Sequence, residues 1–251
     1  MNTLKKILPS ILLLSAFVLL WELYCRLSGI SKMILPSPSA IFQALVTNWP
    51  VLLIHTVQTV EEALIGLACA IFLGVSVAML LLLLPSIRAG VYPLLVFSQT
   101  IPVIALAPLL LIWFGFDLTP KVIIVVLYCF FPIAIALSDA FFSTDQNAIA
   151  LLKSMGASEM HTLIFVHIPN AIPAFFSGLK ISVTYAIAGA IVGEYVGAYR
   201  GLGVYMQTSA NSHATALVFA ALAVTALITM LLLGSVSIAE YVCTPWKRIY
   251  D

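Results

Sequence analysis

The sequence predicts an all-α polytopic membrane protein of about six transmembrane helices, and three observations carry that expectation. Of its 251 residues, 63% are hydrophobic and only 8% are charged, whereas a soluble domain carries about 25% charged residues. The charges are segregated, clustering around Lys5, Arg26 to Lys32, Arg88, Asp117 to Lys121, Asp139 to Lys180, Arg200 and Lys247 to Asp251. Between the clusters lie apolar runs of the length that crosses a bilayer, about 20 residues for roughly 30 Å of hydrocarbon.

Six runs qualify, at about 7–28, 56–84, 91–114, 121–140, 178–199 and 214–241, within one transmembrane domain spanning 1–251. In the first, Lys5 and Lys6 precede a Leu-rich stretch in the manner of a signal peptide. The run nevertheless continues into Trp21, Glu22, Leu23 and Tyr24 with no small-residue cleavage site, which makes it a retained helix. In the third, Pro102 and Pro108 remove backbone donors, which lipid tolerates only where a helix packs on protein or lines a cavity. That run is therefore expected to face the bundle interior. Gln99 and Thr100 beside it either line a translocation path or gate, together with Pro102, or join neighbouring helices by hydrogen bonds.

The fifth run carries Gly178, Gly189, Gly193 and Gly197, whose small-xxx-small spacings allow close helix approach. It is expected to be central, with Gly189, Gly193 and Gly197 at a helix-packing face or a dimer axis. A carboxylate at mid-bilayer costs about 3 kcal/mol or more, so Glu194 either lines the path or gate or bonds to a neighbouring helix. Asp139, at a helix end, is expected to be solvated.

Positive residues near helix ends set orientation. With the N-terminus inside, the cytoplasmic side holds Lys5, Lys6, Arg88, Lys153, Lys180, Lys247 and Arg248, and the other side holds Arg26, Lys32, Lys121 and Arg200. That imbalance puts both termini in the cytoplasm. Two longer segments remain, an external one at about 29–55 and an internal one at about 141–178. Leu35-Pro36-Ser37-Pro38-Ser39 in the external segment favours a turn into a short helix.

The internal segment is the most informative. After a cap at Ser143-Thr144-Asp145, residues Ala148, Ile149, Leu151, Leu152 and Met155 recur at helical spacing, and Gly156 stops the helix. Ser158 then caps a second helix running toward Pro169. Such an amphipathic helix either lies on lipid or docks into a partner's groove. Surface helices carry a Lys/Arg-rich face, and here only Lys153 is basic before the glycine, which favours docking.

Other chemistries find no motif. Net charge is +1, without a basic patch mixed with aromatics, so no nucleic-acid partner is expected. Cys25, Cys69, Cys129 and Cys243 lie far apart, and His55, His161, His167 and His213 lack metal-ligand spacing, so no metal site is expected. No catalytic residues stand out, although an ion-coupled carrier or an intramembrane enzyme remains a rival class. No G-x-x-x-x-G-K-[ST] loop occurs, so any ATP hydrolysis must come from another subunit.

From Ala150 to Pro169 the loop resembles the EAA loop of bacterial binding-protein-dependent ABC importer permeases, where a Glu-Ala-Ala triplet precedes a glycine and an I-x-L-P ending follows. Gly156 matches the glycine and Val166-His167-Ile168-Pro169 the ending, while the triplet has become Ala150-Leu151-Leu152 and lacks the acidic residue. Leu35-Pro36-Ser37-Pro38, Pro102 through Pro108, Leu111-Ile112-Trp113-Phe114-Gly115, Phe131-Pro132, Gly193-Glu194-Tyr195-Val196-Gly197-Ala198 and Gly201-Leu202-Gly203 are similar to the branch importing nitrate, sulfonates, taurine and thiamine precursors.

The resemblance implies a type I ABC importer permease fold with a cytoplasmic coupling helix. Coupling to the ATPase would fall to Ala148, Ile149, Leu151, Leu152, Met155, Gly156, Ala157 and Ser158. The implied partners are two copies of an ABC ATP-binding subunit, which hold ATP and Mg, a second permease copy, and a periplasmic or lipid-anchored substrate-binding protein. No cofactor is implied on this chain, and the implied location is the bacterial inner membrane. The stretch Pro173 to Lys180, with Thr184-Tyr185-Ala186 and Gly193-Glu194, is most similar to members moving thiamine pyrimidine precursors or riboflavin-like heterocycles. Sulfonate, taurine or nitrate is the alternative cargo.

Overall fold

The computed structural model describes residues 3–246, with side chains from Leu8 onward. The charges at Lys247, Arg248 and Asp251, and the side chains of Lys5 and Lys6, lie outside the described residues. Within them the helices are α1 (Thr3–Leu27), α2 (Pro38–Thr47), α3 (Trp49–Leu83), α4 (Pro85–Ser98), α5 (Val103–Phe114), α6 (Leu118–Phe142), α7 (Gln146–Ser154), α8 (Glu159–Thr162), α9 (Ile168–Gly197), α10 (Leu202–Asn211) and α11 (Thr215–Cys243), and the described residues hold no strand. Among the described residues, five helical stretches are long and apolar enough to cross a membrane, and α4 with α5 makes a sixth if the bent pair is one span.

The core is the trio α3, α6 and α9. The buried positions of α3 are Leu52, Thr59, Glu62, Ala63, Gly66, Leu67, Ala70, Gly74, Ala78 and Leu81, which from Thr59 onward recur at three- and four-residue steps along one stripe. Small residues there let α6 come close: a Cβ on Gly66 would stand 2.5 Å from the Val125 side chain, and one on Gly74 would stand 2.9 Å from Ile133. On the other side of α6, a Cβ on Gly178 would meet the Pro132 carbonyl at 2.6 Å. This is packing by backbone approach, the mechanism left when lipid removes the hydrophobic drive between helices. A buried exchange joins the same pair, since the Ser182 hydroxyl donates to the Cys129 carbonyl at 2.6 Å and the Cys129 thiol donates to the Ser182 carbonyl at 3.2 Å.

α10 and α11 pack against α9 and α3 through a second cluster that includes Leu52, Leu202, Met206, Ala220 and Val224. α1 stays at the periphery, and none of its apolar window is buried. It is held at one end, where Trp21 lies 5.8 Å from Phe219 and the Glu22 carboxylate accepts from the Ser39 backbone and hydroxyl at 3.0 and 2.8 Å.

Three expectations about the runs need correction. The third is not one helix: α4 and α5 meet at a 95° bend. Pro102 stands in that break as the residue capping α5, where its missing N–H deprives no helical acceptor, and Pro102 and Pro108 are exposed on this chain, not turned into its core. The second run starts at Trp49, because Pro50 suits a first helical turn and lets the helix begin well before the apolar stretch. The fifth starts at Ile168, so the segments at 29–55 and 141–178 are mostly helix.

Candidate functional site

The loop between α6 and α9 is built by local signals. Asp145 caps α7 by accepting from the Asn147 N–H at 2.9 Å. Gly156 ends the helix at φ +85°, with its N–H on the Lys153 carbonyl and that of Ala157 on the Leu152 carbonyl, both at 3.0 Å. These paired bonds are a Schellman stop, which needs a left-handed residue and therefore favours glycine. Ser158 caps α8 by accepting from the His161 N–H at 3.3 Å. Lys153 and Glu159 pair across the bend at 2.7 Å on the surface.

Of the residues proposed for coupling, Leu151 and Met155 are strongly exposed, at 63% and 74%. Ala148, Ile149, Leu152 and Ala157 are half-buried, and Gly156 and Ser158 are exposed. The free apolar surface is thus carried by Leu151 and Met155, with Met160 beyond the bend exposed as well. The loop is moored to the bundle by Asn170, whose amide donates to the Ala140 carbonyl at 2.9 Å and to the Thr144 hydroxyl at 3.3 Å. From α8 the chain runs through one π-turn (Leu163–His167) straight into α9. α4 is tied to the same end, since the Tyr92 hydroxyl donates to Asp139 at 2.9 Å and Arg88 lies 3.5 Å over the Phe142 ring. Asp139 is exposed yet has this partner.

The break between α4 and α5 opens a hollow of about 350 Å³. Gln99, Thr100 and Pro102 line it from the break, Tyr128, Phe131 and Pro132 from α6, and Tyr185 from α9. Glu194 does not join them. It is 1% exposed and lies at the far end of α9, in a clasp assembled from α3, α6, α9 and α10.

In that clasp Glu194 accepts from the Thr59 hydroxyl at 2.6 Å and from the Gly203 N–H at 2.5 Å. Thr59 in turn accepts from the Leu202 N–H at 2.8 Å, and His55 faces the Gly201 backbone through Nδ1 at 3.0 Å. Beside it Glu62, fully buried, accepts from Lys121 at 3.0 Å and from Gln58 at 2.9 Å, while its second oxygen has no hydrogen-bond partner among the described residues. Glycine is required at Gly201, which has φ +130° and where a Cβ would sit 2.1 Å from the Glu194 carboxyl carbon. Gly193 and Gly197 face Lys121 and Leu111 of this same chain, and Gly189 faces Tyr128, so the approach they allow is to α6 and α5.

In the sequence Lys121 counts as a loop charge, Glu62 carries no motif and His55 shows only a lack of metal-ligand spacing. Lys121 stands in the first turn of α6, and Lys180 lies well inside α9 paired with Glu240. The signal available was the pairing rule itself: ionisable residues on apolar helices need partners.

The whole-chain comparisons agree with this architecture. Residues 70–248 match the family of binding-protein-dependent transport system inner membrane components. The chain is 38% identical to a probable ABC transporter permease protein of Haemophilus influenzae, covering 96% of this chain and 95% of the relative. It is 34% identical to the formylaminopyrimidine transport permease protein ThiX of Halalkalibacterium halodurans, covering 96% of each. It is 29% identical to the taurine transport system permease protein TauC of Escherichia coli, over 96% and 90%. Its fold is that of a chain of the MetNI methionine ABC transporter in inward-facing conformations, with a TM-score of 0.66, 18% identity, and 76% and 95% coverage. The chain belongs to the inner-membrane permease components of binding-protein-dependent ABC transport systems, multi-pass transport subunits whose ATP hydrolysis resides in a separate subunit.

Proposed function

We propose that two copies of this chain, as one transmembrane domain each, enclose the path of an ATP-driven importer for a small heterocycle of the thiamine-pyrimidine-precursor kind. The cargo arrives on an extracytoplasmic binding protein, and two ATPase subunits holding ATP and Mg dock on α7. The observation that carries this reading is the unbroken run from α8 into α9. A push on the exposed Leu151 and Met155 surface is delivered along one helix past Tyr185 to Glu194. At 1.5 Å per residue these points lie about 25 and 40 Å from the start of α9. The missing acidic residue of the triplet leaves docking to apolar contact and to the Lys153–Glu159 pair.

Both termini are assigned to the cytoplasm. Setting aside Lys180 and Lys121, which are paired inside helices, the loop cations still favour the α7 side by six to three. The cargo assignment is supported by the full-length similarity to a formylaminopyrimidine permease, and taurine is the second reading because of the 29% identical taurine relative. The test is uptake into proteoliposomes holding the permease, its ATPase subunit and its binding protein, supplied with formylaminopyrimidine or taurine. ATP-dependent uptake of formylaminopyrimidine is expected, with complete loss when the ATPase Walker lysine is replaced. Uptake that survives that replacement overturns the importer mechanism, and uptake of taurine alone overturns the cargo.

A further inference from the structure

We propose that the hollow under the α4–α5 break is a cargo-contact site that receives an uncharged planar heterocycle, with Tyr128 and Tyr185 as its stacking platform and the Gln99 amide reading its polar edge. The inference rests on the importer reading above and adds the residues and the chemistry by which the permease itself meets its cargo.

The position is the first argument. Gln99 to Pro102 are non-helical backbone within an apolar span, which a membrane tolerates only where the chain is buried in protein or lines a water-accessible cavity. Broken helices near the middle of a span are also where transporters place substrate. Tyr185 stands about midway along α9, so the hollow lies at that depth.

The lining is the second argument. The Tyr128 and Tyr185 rings lie 6.3 Å apart with planes 32° from each other, and Phe131 lines the same wall. Two rings so tilted present a shallow aromatic surface against which a flat ring stacks on one face. Neither tyrosine hydroxyl has a hydrogen-bond partner among the described residues, and neither has the Gln99 amide. Thr100 already donates to the Phe97 carbonyl at 2.7 Å and retains only acceptor capacity. At about 350 Å³ the hollow is at the small end of the roughly 300–1,000 Å³ of ligand pockets, a size suited to one or two rings.

Charge is the third argument and decides between the cargo classes. Among the described residues, no Lys, Arg or His lines the hollow. The cations of the flanking helices are committed elsewhere: Lys121 to Glu62, Lys180 to Glu240, and Arg88 to the Phe142 ring. A sulfonate or nitrate in this hollow would be a desolvated anion with no counter-charge, which low-dielectric surroundings penalise heavily. A neutral heterocycle loses nothing of that kind and finds both a stacking face and donors at its edge.

The experiment uses the complete transporter in proteoliposomes and reads cargo carried per ATP hydrolysed, so that assembly and hydrolysis are measured with uptake. Tyr128→Leu and Tyr185→Leu are expected to lower formylaminopyrimidine carried per ATP by about tenfold, the effect of losing one stacked ring. Tyr185→Phe is expected to keep most of it. Gln99→Leu, at an exposed turn with no contact to lose, guards against a folding explanation and is expected to lower the same ratio several-fold. If wild-type protein carries formylaminopyrimidine and all three Leu variants carry it equally well, the site is overturned while the importer reading stands. If wild-type protein carries only taurine, the cargo reading and this inference fall together.

Discussion

Glu62, Lys121 and Glu194 show how much a single buried charge depends on its neighbours. A carboxylate or ammonium taken out of water survives only with close partners, and breaking a buried pair by removing one member costs about 3–5 kcal/mol. Lys121→Met should therefore lower the thermal midpoint of the detergent-solubilised protein sharply, because Glu62 keeps its burial and loses its cation. The double change Lys121→Met with Glu62→Gln should recover most of that loss in the same melt. A double variant no more stable than the single would show that the pair does not hold α3 to α6. The sequence singled out Glu194 as a carboxylate that lines a path or bonds to a neighbouring helix, but not its partners: Thr59, Glu62, Lys121, Glu194 and Gly203 are spread over nearly 150 positions, and only folding brings them together.

At the level of elements the outcome depends on whether the deciding interaction is local. α7 and its stop at Gly156 were readable because Asp145, the apolar spacing and the glycine act within one or two turns. The short helix after Pro38 was readable for the same reason. The bend between α4 and α5 was not, since hydropathy sees an unbroken apolar stretch and prolines mark a weak point without fixing its angle. The stop at Gly156 is itself testable. Space around it is open, so Gly156→Val clashes with nothing, yet a β-branched residue resists φ +85°. The chain should insert normally, while α7 swings out of register and the ATPase subunit co-purifies several-fold less. Equal recovery of the ATPase subunit would remove Gly156 from the coupling assignment.

For the molecule as a whole, composition announced membrane residence and loop charges suggested orientation, but the division into a closely packed trio and the helices outside it emerges only in three dimensions. α3, α6 and α9 are locked by glycine notches, the Cys129–Ser182 exchange and the clasp. α1 and the bent α4–α5 pair lie outside that trio, and the hollow opens beside the bent pair. In the proposed mechanism ATP-driven motion enters through the exposed apolar surface of α7 and travels along α9. The most direct measurement is simultaneous ATP hydrolysis and cargo uptake by proteoliposomes carrying Leu151→Asp, which puts a charge on that surface without disturbing the bundle. On this mechanism uptake falls at least about tenfold, the effect of roughly 1.4 kcal/mol of lost docking. Uptake at the wild-type rate would contradict it.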